Sequence, residues 1–290
     1  MSDQPLPSVI GIDGGGTHCR FALTHSGHRF DVTLAAANAS TDPEGTLATL
    51  KQGLAALAKA ADVPLATLAQ VPAYLGLAGV MDAQMGAEIA RALPLHRAVV
   101  GDDRRTAMVG ALGDADGCVI GIGTGSFMGR RTGGVDRLIG GWGFVLGDDA
   151  SGAVLGRQAL RCVLDVHDGL RAATPLTRAL SARVGSPADI VAFASRAKPS
   201  DFAALAPDIT AAAQEGDPVA LTLMQEGARH IDHRLRHLGW QHPERICPLG
   251  GLATHYAPYL SPDLAAQLAA PAGTALDGAL ALAAQMDPAR

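Results

Sequence analysis

The stretch VIGIDGGGT, residues 9–17, decides the fold because it joins an apolar strand to a glycine-rich turn. Its apolar half, Val9 to Ile12, is short and predicts a strand buried inside a sheet. Its second half places Asp13 directly after the strand and Thr17 after three consecutive glycines. Glycine lets backbone N–H groups approach an anion, and threonine adds a hydroxyl donor. The turn is therefore typical of a phosphate-binding loop.

The layout around this stretch occurs twice. Residues 9–34 predict a strand, a glycine turn, a second strand, a hairpin and a third strand. Residues 118–139 repeat that order, with the turn Gly-Thr-Gly-Ser at 123–126. Runs of this kind occur in many α/β proteins, but the matching turn chemistry favours a duplicated three-stranded unit.

The duplication predicts two α/β domains with a junction near residue 115. We expect an N-terminal domain over 1–115 and a C-terminal domain over 116–273. An alanine-rich helix of about 274–290 is expected to pack back on the N-terminal domain.

The remaining chain supplies further strands and helices. A strand is predicted at 98–101, followed directly by a helix at 103–112. From residue 151 the chain is mostly helical, and one long helical stretch is expected over 208–238. A last strand, at 246–249, runs into a pair of glycines.

Composition excludes several classes of protein. The chain has 290 residues, of which 48% are hydrophobic and 18% charged, and its net charge is −5. It has no basic block for nucleic-acid binding, no apolar run long enough to cross a membrane, and no signal peptide. Its four cysteines are scattered and form no C-x-x-C motif, which suits reduced thiols in the cytoplasm.

Three glycine turns follow apolar strands, and they indicate a phosphate chain held by hairpins. They lie at 13–17, at 123–126 and at 250–251. None fits the Walker-type pattern G-x-x-x-x-G-K-[ST], and no helix follows the first turn as a Rossmann site requires. A single turn would be weak evidence, because tight hairpins look alike.

Two carboxylates at the ends of strands are candidates for chemistry. Asp13 could hold water on a Mg²⁺ ion that bridges phosphates, or it could cap its own turn. Asp102 and Asp103 follow the strand at 98–101, where open α/β sheets place functional residues. One of the pair could accept a proton from a substrate hydroxyl while the other caps the helix.

The densest motif is Gly140-Gly141-Trp142-Gly143, followed by Gly147-Asp148-Asp149. Its tryptophan could form a platform for a sugar face, and its first aspartate could accept hydrogen bonds from sugar hydroxyls. The alternative is a loop that packs its one aromatic residue.

Three histidines, His230, His233 and His237, fall on one face of a predicted helix. This spacing could bind a metal, but no carboxylate or cysteine partner accompanies it. A solvated helix face is therefore the preferred interpretation.

These segments together resemble the sugar kinase, heat-shock and actin superfamily. Within it they resemble the N-acetylglucosamine kinase and glucosamine kinase-like proteins of the BadF/BadG/BcrA/BcrD ATPase family. The resemblance is carried by the motifs GIDGGGT, GIGTGS, GWG with GD, and LGG, which begin at residues 11, 121, 141 with 147, and 249. It implies two duplicated ribonuclease H-like (actin-like ATPase) domains with a nucleotide cleft between them.

The resemblance also implies a reaction: ATP- and Mg²⁺-dependent phosphorylation of the C6 hydroxyl of an amino sugar. N-acetylglucosamine is the expected substrate, and glucosamine is the alternative. The family's catalytic acid lies in an Asn-Asp-Ala segment that opens a helix, which here reads Asp102-Asp103-Arg104. Asp103 therefore takes the role of the base, and Asp13 that of a Mg²⁺ partner through water.

The family's binding residues map onto two sets of positions. The sugar-binding set is Asn38, Asp103, Gly141, Trp142, Gly143 and Asp148. The ATP-binding set is Gly14, Gly15, Gly16, Thr17, Thr124, Gly125, Ser126, Ala213, Gly250 and Gly251. Asp149 could supply a carboxylate for the ammonium group of glucosamine.

The main alternative activity is that of an activator ATPase, which drives electrons into a partner reductase. That activity requires an iron–sulfur cluster held by two cysteines per subunit, and no cysteine here lies in a matching loop. Sugar-responsive repressors share the fold but add an N-terminal helix-turn-helix. We therefore expect a cytoplasmic enzyme with ATP and an amino sugar as partners; a homodimer stays open, since relatives often dimerise.

Overall fold

The computed structural model describes residues 8–16 and 18–286. These form two compact units, one made of the described residues up to 114 together with 271–286, and the other of residues 115–270. Both are α/β, as the sequence predicts, and each has a hydrophobic core of its own. No helix in the described residues has the length and apolar character needed to cross a membrane.

The elements of the described residues, in chain order, are as follows. The strands are β1 (Val9–Gly14), β2 (His18–His25), β3 (His28–Ala35), β4 (Ala73–Leu77), β5 (Ala98–Asp102), β6 (Gly117–Ile122), β7 (Ser126–Thr132), β8 (Val135–Gly140) and β9 (Ile246–Leu249). The helices are α1 (Pro43–Ala60), α2 (Leu65–Leu68), α3 (Ala83–Arg91), α4 (Asp103–Leu112), α5 (Gly152–His167), α6 (Pro175–Val184), α7 (Pro187–Arg196), α8 (Pro199–Ala203), α9 (Ala206–Gln214), α10 (Pro218–His237), the 3-10 helix η1 (Ala253–Tyr259), α11 (Pro262–Ala265) and α12 (Ala275–Ala284).

The first unit is built on a mixed five-stranded sheet with the order β3-β2-β1-β4-β5. The first three strands form an antiparallel meander, and β4 and β5 add to β1 in parallel. Because β1, β4 and β5 run in the same direction, their carboxyl ends lie along one edge of the sheet. That edge carries Asp13 and the pair of aspartates at the start of α4.

Helix α1 covers one face of this sheet. Asp42 caps its first turn by accepting a hydrogen bond from Gly45 N at 3.0 Å, and Pro43 occupies the first helical position. Leu50, Leu54 and Leu57 recur at helical spacing and are fully buried. Burial of each such side chain contributes about 1.5–3 kcal/mol, so this stripe fixes the helix on the sheet.

Helix α12 covers the other face, although it comes last in the described chain. It packs against α4, β1 and β4. The crossing with α4 is tight because a Cβ added at Gly278 would overlap the carbonyl oxygen of Thr106. At the edge of the sheet, Arg29 of β3 donates to the Asp277 carboxylate of α12 at 2.6 Å.

The second unit repeats the scheme with a four-stranded sheet of order β8-β7-β6-β9. Strands β6, β7 and β8 form an antiparallel meander, and β9 pairs with β6 in parallel. The equivalent strands of the first unit are β1, β2, β3 and β4. The repeated layout of residues 9–34 and 118–139 therefore has the same topology in both units.

The long helix expected over 208–238 is two helices in the structure. Gly216 adopts a φ of +85°, and Pro218 cannot donate the backbone hydrogen bond that would continue α9. Asp217 lies between them and caps α10 by accepting from Val219 N and Ala220 N. The break is a short turn, so the helical stretch expected over 208–238 is interrupted at residues 215–217.

The glycine at position 278 gives a test of the α4–α12 crossing. We expect Gly278→Ala to lower the free energy of unfolding by about 1–3 kcal/mol, because backbone atoms of α4 must shift to admit the methyl group. Chemical denaturation of the full chain measures the change. Ala281→Ser, on the exposed side of the same helix, should change stability by less than about 0.5 kcal/mol. Equal effects of the two substitutions would contradict the tight crossing.

Candidate active site

The first group of candidate residues lies at the carboxyl edge of the sheet in the first unit. Asp13 of β1 pairs with Gly76 of β4, and Leu77 of β4 pairs with Asp102 of β5. Asp103 follows as the first residue of α4. Adjacent strands therefore bring Asp13 and the aspartate pair to the same edge, as expected for open α/β sheets.

The structure separates the roles of the two aspartates. Asp102 is the N-cap of α4, and its Oδ1 accepts a hydrogen bond from Arg104 N at 2.8 Å. The Arg104 guanidinium also donates to Asp102 Oδ2, with Nε at 2.6 Å. Burial alone would raise the pKa of Asp102, but the hydrogen bonds from Arg104 outweigh it and hold that pKa below its usual range. Asp102 is thus an ionised capping group, which leaves Asp103 for other chemistry.

Asp103 has the environment of a general base. Burial is the main effect that raises the pKa of its carboxyl, to about 7, and the charge of Asp102 and a hydrogen bond with Asp102 act in the same direction. The charge of Asp13 adds to the rise, while Arg104 opposes it. A carboxyl that titrates near neutrality can both accept and release a proton at physiological pH.

Asp13 and the first glycine turn lie beside this pair. Burial raises the pKa of Asp13, against the opposing charge of Arg20, whose Nη1 lies 3.3 Å from Asp13 Oδ2. Gly15 closes the turn by donating to the carbonyl of His18 at 3.0 Å, and Gly16 is exposed. Gly14 is buried at the end of β1, and Thr17 lies outside the described residues.

Asn38 lies at the same edge, joined to Ala78 by a parallel bridge just beyond β4. Its Oδ1 accepts hydrogen bonds from Ser40 N at 3.1 Å, Ser40 Oγ at 2.9 Å and Thr41 N at 3.2 Å. The amide oxygen is therefore occupied in ordering its own loop. The amide NH₂ group has no hydrogen-bond partner among the described residues, so it can donate to a ligand.

The second group of candidate residues lies in the second unit, at the carboxyl ends of β6 and β9. The turn at 123–126 closes through a hydrogen bond from Gly123 N to Gly125 O at 2.9 Å, and Thr124 is exposed. Gly250, with a φ of +81°, passes so close to Ile122 that a Cβ would overlap its carbonyl oxygen. Gly250 and Gly251 are both exposed beside the turn. The two glycine turns of this unit therefore meet at one edge.

The tryptophan loop adjoins this edge. Gly141 N donates to Ser126 O at 2.8 Å, which attaches the loop to the second turn. Phe144 packs partly against the core, whereas the Trp142 side chain is 64% exposed and Gly143 is exposed as well. An exposed indole on an anchored loop is available for stacking on a ligand.

Asp148 ends the loop and lies against the second turn. A Cβ added at Gly125 would be 2.8 Å from Asp148 Oδ2. The next residue, Asp149, has its carbonyl oxygen bound by Ser126 Oγ at 2.6 Å and its carboxylate 3.8 Å from His230 Nδ1. The structure thus brings together Thr124, Gly125, Ser126 and Asp148 within one unit.

Other candidates lie apart from these two groups. Ala213 is a buried residue of α9 in the core of the second unit. His233 and His237 are exposed on α10, and His230 is half-buried. No group of three or more His, Cys, Asp or Glu residues is arranged to hold a metal ion in the described part of the chain.

Arg20 and Arg104 are residues that the sequence patterns missed. Arg20 lies directly opposite Asp13 in the antiparallel register of β1 and β2. Arg104 is two residues from the carboxylate it binds. The hairpin register and the i, i+2 spacing at a helix start are the signals that could have identified them.

This chain is similar in sequence to proteins of a known family. The profile of the BadF/BadG/BcrA/BcrD ATPase family matches residues 10–261. A glucosamine kinase of Vibrio cholerae is 30% identical over 278 residues, which cover 94% of this chain and 95% of that protein.

Solved structures agree in fold. The crystal structure of a candidate N-acetylglucosamine kinase of Chromobacterium violaceum superposes with a TM-score of 0.85 at 32% identity, covering 96% of this chain and 100% of that one. A ROK family glucokinase of Streptomyces griseus, in complex with glucose and AMPPNP, superposes with a TM-score of 0.58 at 20% identity, covering 96% and 99% of the two chains. The latter shows likeness of fold alone. The expected duplicated sugar-kinase fold is confirmed.

The titration of Asp103 can be measured directly. Its carboxyl should titrate near pH 7, and Asp102→Asn should lower that pKa by about 1 pH unit, because asparagine keeps the helix cap and removes the neighbouring charge. Carboxyl-carbon NMR of the aspartate-labelled full chain provides the measurement. Asp82→Asn, at the cap of α3, is the matched control and should leave Asp103 unchanged. Titration of Asp103 at the ordinary value in the wild-type protein would contradict the environment described above.

Proposed function

Because the chain belongs to the BadF/BadG/BcrA/BcrD ATPase family, we propose that it is an ATP-dependent kinase acting on the C6 hydroxyl of an amino sugar. The observation that carries the proposal is the position of Asp103. It is the first residue of α4, free of the capping role that Asp102 fills, and its carboxyl has a pKa of about 7. A sugar hydroxyl placed within hydrogen-bond reach of it can lose its proton as the phosphoryl group transfers.

In this mechanism Asp103 orients the C6 hydroxyl and takes its proton. Phosphoryl transfer needs little covalent help from the protein, so positioning and charge neutralisation supply most of the rate. The raised pKa favours the reaction, because a base is most effective when its pKa lies near the working pH. The proton returns to solvent after the sugar phosphate leaves.

A Mg²⁺ ion fits the carboxyl edge of the first unit. The Asp13 carboxylate is a hard oxygen donor, and its raised pKa reflects burial that Arg20 only partly compensates. Mg²⁺ typically binds one or two carboxylates and fills its other positions with water and substrate phosphates. Asp13 would hold the ion through water, and the ion would neutralise charge on the phosphates of ATP.

The glycine turns are proposed to bind ATP. In the first unit Gly14, Gly15, Gly16 and Thr17 would face the phosphates, and in the second unit Thr124, Gly125 and Ser126 would do so. The exposure of Gly16 and Thr124 supports this assignment, since neither is covered by its own unit. Gly250 and Gly251 would let the nucleotide approach β9 closely, and Ala213 is proposed near the adenine. Ala213 is buried in the core of its unit, so its place near the adenine rests on the family resemblance alone.

The sugar is proposed to bind Asn38, the tryptophan loop and Asp148. The NH₂ group of Asn38 would donate to a hydroxyl oxygen, because its amide oxygen is already occupied. Trp142 would stack on the apolar face of the ring, with Gly141 and Gly143 leaving room beside it. The Asp148 carboxylate would accept hydrogen bonds from ring hydroxyls.

N-acetylglucosamine is the proposed substrate. An acetyl group needs a small apolar wall, whereas the ammonium of glucosamine needs a nearby carboxylate. The Asp149 carboxylate, the candidate partner for that ammonium, lies beside His230 on α10. Because it faces the histidine, we favour the uncharged acetamido group of N-acetylglucosamine at the sugar site. The Vibrio relative named glucosamine kinase makes glucosamine the second candidate.

The activator ATPase is the less favoured alternative. All four cysteines are buried, so none is presented for an iron–sulfur cluster shared between subunits. An enzyme that uses ATP and has reduced thiols is proposed to work in the cytoplasm. Its proposed partners are ATP and the sugar, and light scattering would show whether it forms a homodimer.

Replacement of Asp103 tests the base. Asp103→Asn should lower kcat at least ~100-fold while ATP still binds, because the amide cannot accept the hydroxyl proton. Steady-state kinetics and calorimetric ATP titration measure the two properties. Asp114→Asn, at an exposed carboxylate beyond α4, should have no effect on kcat. Near-normal turnover by Asp103→Asn would remove Asp103 as the base.

A panel of sugars tests the reaction and the substrate together. With ATP and Mg²⁺, N-acetylglucosamine should support turnover of ~1–100 s⁻¹, the usual range for kinases, and should exceed glucosamine in kcat/KM. N-acetylmannosamine and glucose complete the panel, and coupled ADP release is the measurement. A higher kcat/KM with glucosamine would make glucosamine the preferred substrate and N-acetylglucosamine the second candidate. Slow ATP hydrolysis that no sugar accelerates would contradict the kinase.

A further inference from the structure

The turn from Asp148 to Ala150 has an unusual backbone. Asp148 has a φ of +60° and Ala150 a φ of +67°, and both carry a Cβ. The left-handed region is unfavourable for such residues, and they persist there only where surrounding contacts hold them. Two such residues within three positions require anchors from other elements.

Two side chains from distant parts of the second unit supply those anchors. Ser126 Oγ donates to the carbonyl oxygen of Asp149 at 2.6 Å. Tyr256, on η1, donates from its hydroxyl to the carbonyl oxygen of Ala150 at 2.8 Å. The tyrosine is 106 residues away in the chain, so this contact forms only in the folded unit.

The Tyr256 hydroxyl is a dedicated donor. The side chain is fully buried, and burial raises the pKa of its phenol far above the usual value. It therefore stays protonated throughout the working pH range. Loss of this one donor would leave the Ala150 carbonyl without its tyrosine partner in a buried position, which is costly for a backbone group.

Helix α10 makes room for this tyrosine. A Cβ added at Gly227 would lie 2.5 Å from the Tyr256 hydroxyl oxygen and 2.5 Å from its ring. A glycine in the interior of a helix lowers helix stability, but here it leaves the space that the Tyr256 ring and hydroxyl occupy. The close approach of α10 fixes the direction in which the hydroxyl points.

We propose that Tyr256 is a positioning residue for the sugar: its buried hydroxyl holds the turn that presents the Asp148 carboxylate beside Gly125. The anchoring of the turn stands on the geometry alone. The effect on the sugar rests on the proposed function, in which Asp148 accepts hydrogen bonds from the ring hydroxyls.

Tyr256→Phe removes the hydroxyl and keeps the ring in its place. We expect the KM of the amino sugar to rise at least ~5-fold, while the KM of ATP stays within ~2-fold of the wild-type value. Tyr259→Phe is the matched control, because Tyr259 lies on the same helix and donates no hydrogen bond in the described residues. It should leave both KM values unchanged.

Gly227→Ala is the second variant, since it displaces the hydroxyl without removing it. It should give the same separation between the two KM values as Tyr256→Phe. Hydrogen exchange of the full chain without ligands provides a readout that does not depend on activity. Amides of residues 148–153 should exchange faster in both variants and at the wild-type rate in Tyr259→Phe.

The two readouts distinguish the possible failures. If the wild-type enzyme phosphorylates no amino sugar, the proposed function fails, and exchange at 148–153 alone decides whether Tyr256 anchors the turn. Unchanged exchange in Tyr256→Phe would overturn the anchor. An unchanged amino-sugar KM in an active enzyme would overturn the positioning role, even where exchange is faster.

Discussion

The cost of placing the Asp103 carboxyl in a half-buried position beside two other carboxyl groups governs the candidate site of the first unit. The charges of Asp102 and Asp13 both oppose its ionisation, and each of these two carboxylates forms an ion pair with an arginine. Arg104 keeps Asp102 ionised as a helix cap, and Arg20 faces Asp13 across the hairpin. For Asp103, burial and the neighbouring carboxyl groups outweigh the opposing charge of Arg104. A negative charge at that position therefore costs free energy, which is consistent with the base that we propose.

In the second unit, uncharged hydroxyl groups rather than arginines stabilise the candidate site residues. The turn from Asp148 to Ala150 carries backbone strain, and hydroxyl donors from β7 and η1 bind the carbonyl oxygens of that turn. Topology is shared between the units, but the first stabilises charge and the second stabilises conformation. The two units thus share a topology but differ in the interactions that stabilise it locally: ion pairs in the first and hydroxyl–carbonyl hydrogen bonds in the second.

Local chemistry made much of this predictable from the sequence. An apolar run followed by Asp13 and glycines predicted β1 and its turn, and the aspartate pair before a helical pattern predicted the start of α4. Residues that act across long separations were not predictable. Tyr256 reaches a carbonyl 106 residues away, and no local pattern encodes that contact. Arg20 depended on hairpin register, and the break before α10 depended on how one glycine and one proline outweigh a helical pattern.

Helix α12 belongs to the first unit but is synthesised after the second unit. Its groove on β1 and α4 is lined by residues made early, yet the helix that fills it is made only after the whole second unit. Domains generally fold as units while the chain is being made. The second unit can therefore complete its core first, whereas the sheet that carries Asp13 and Asp103 stays uncovered on one face until the helix arrives. The edge that carries the proposed base is thus among the last parts of the protein to be completed.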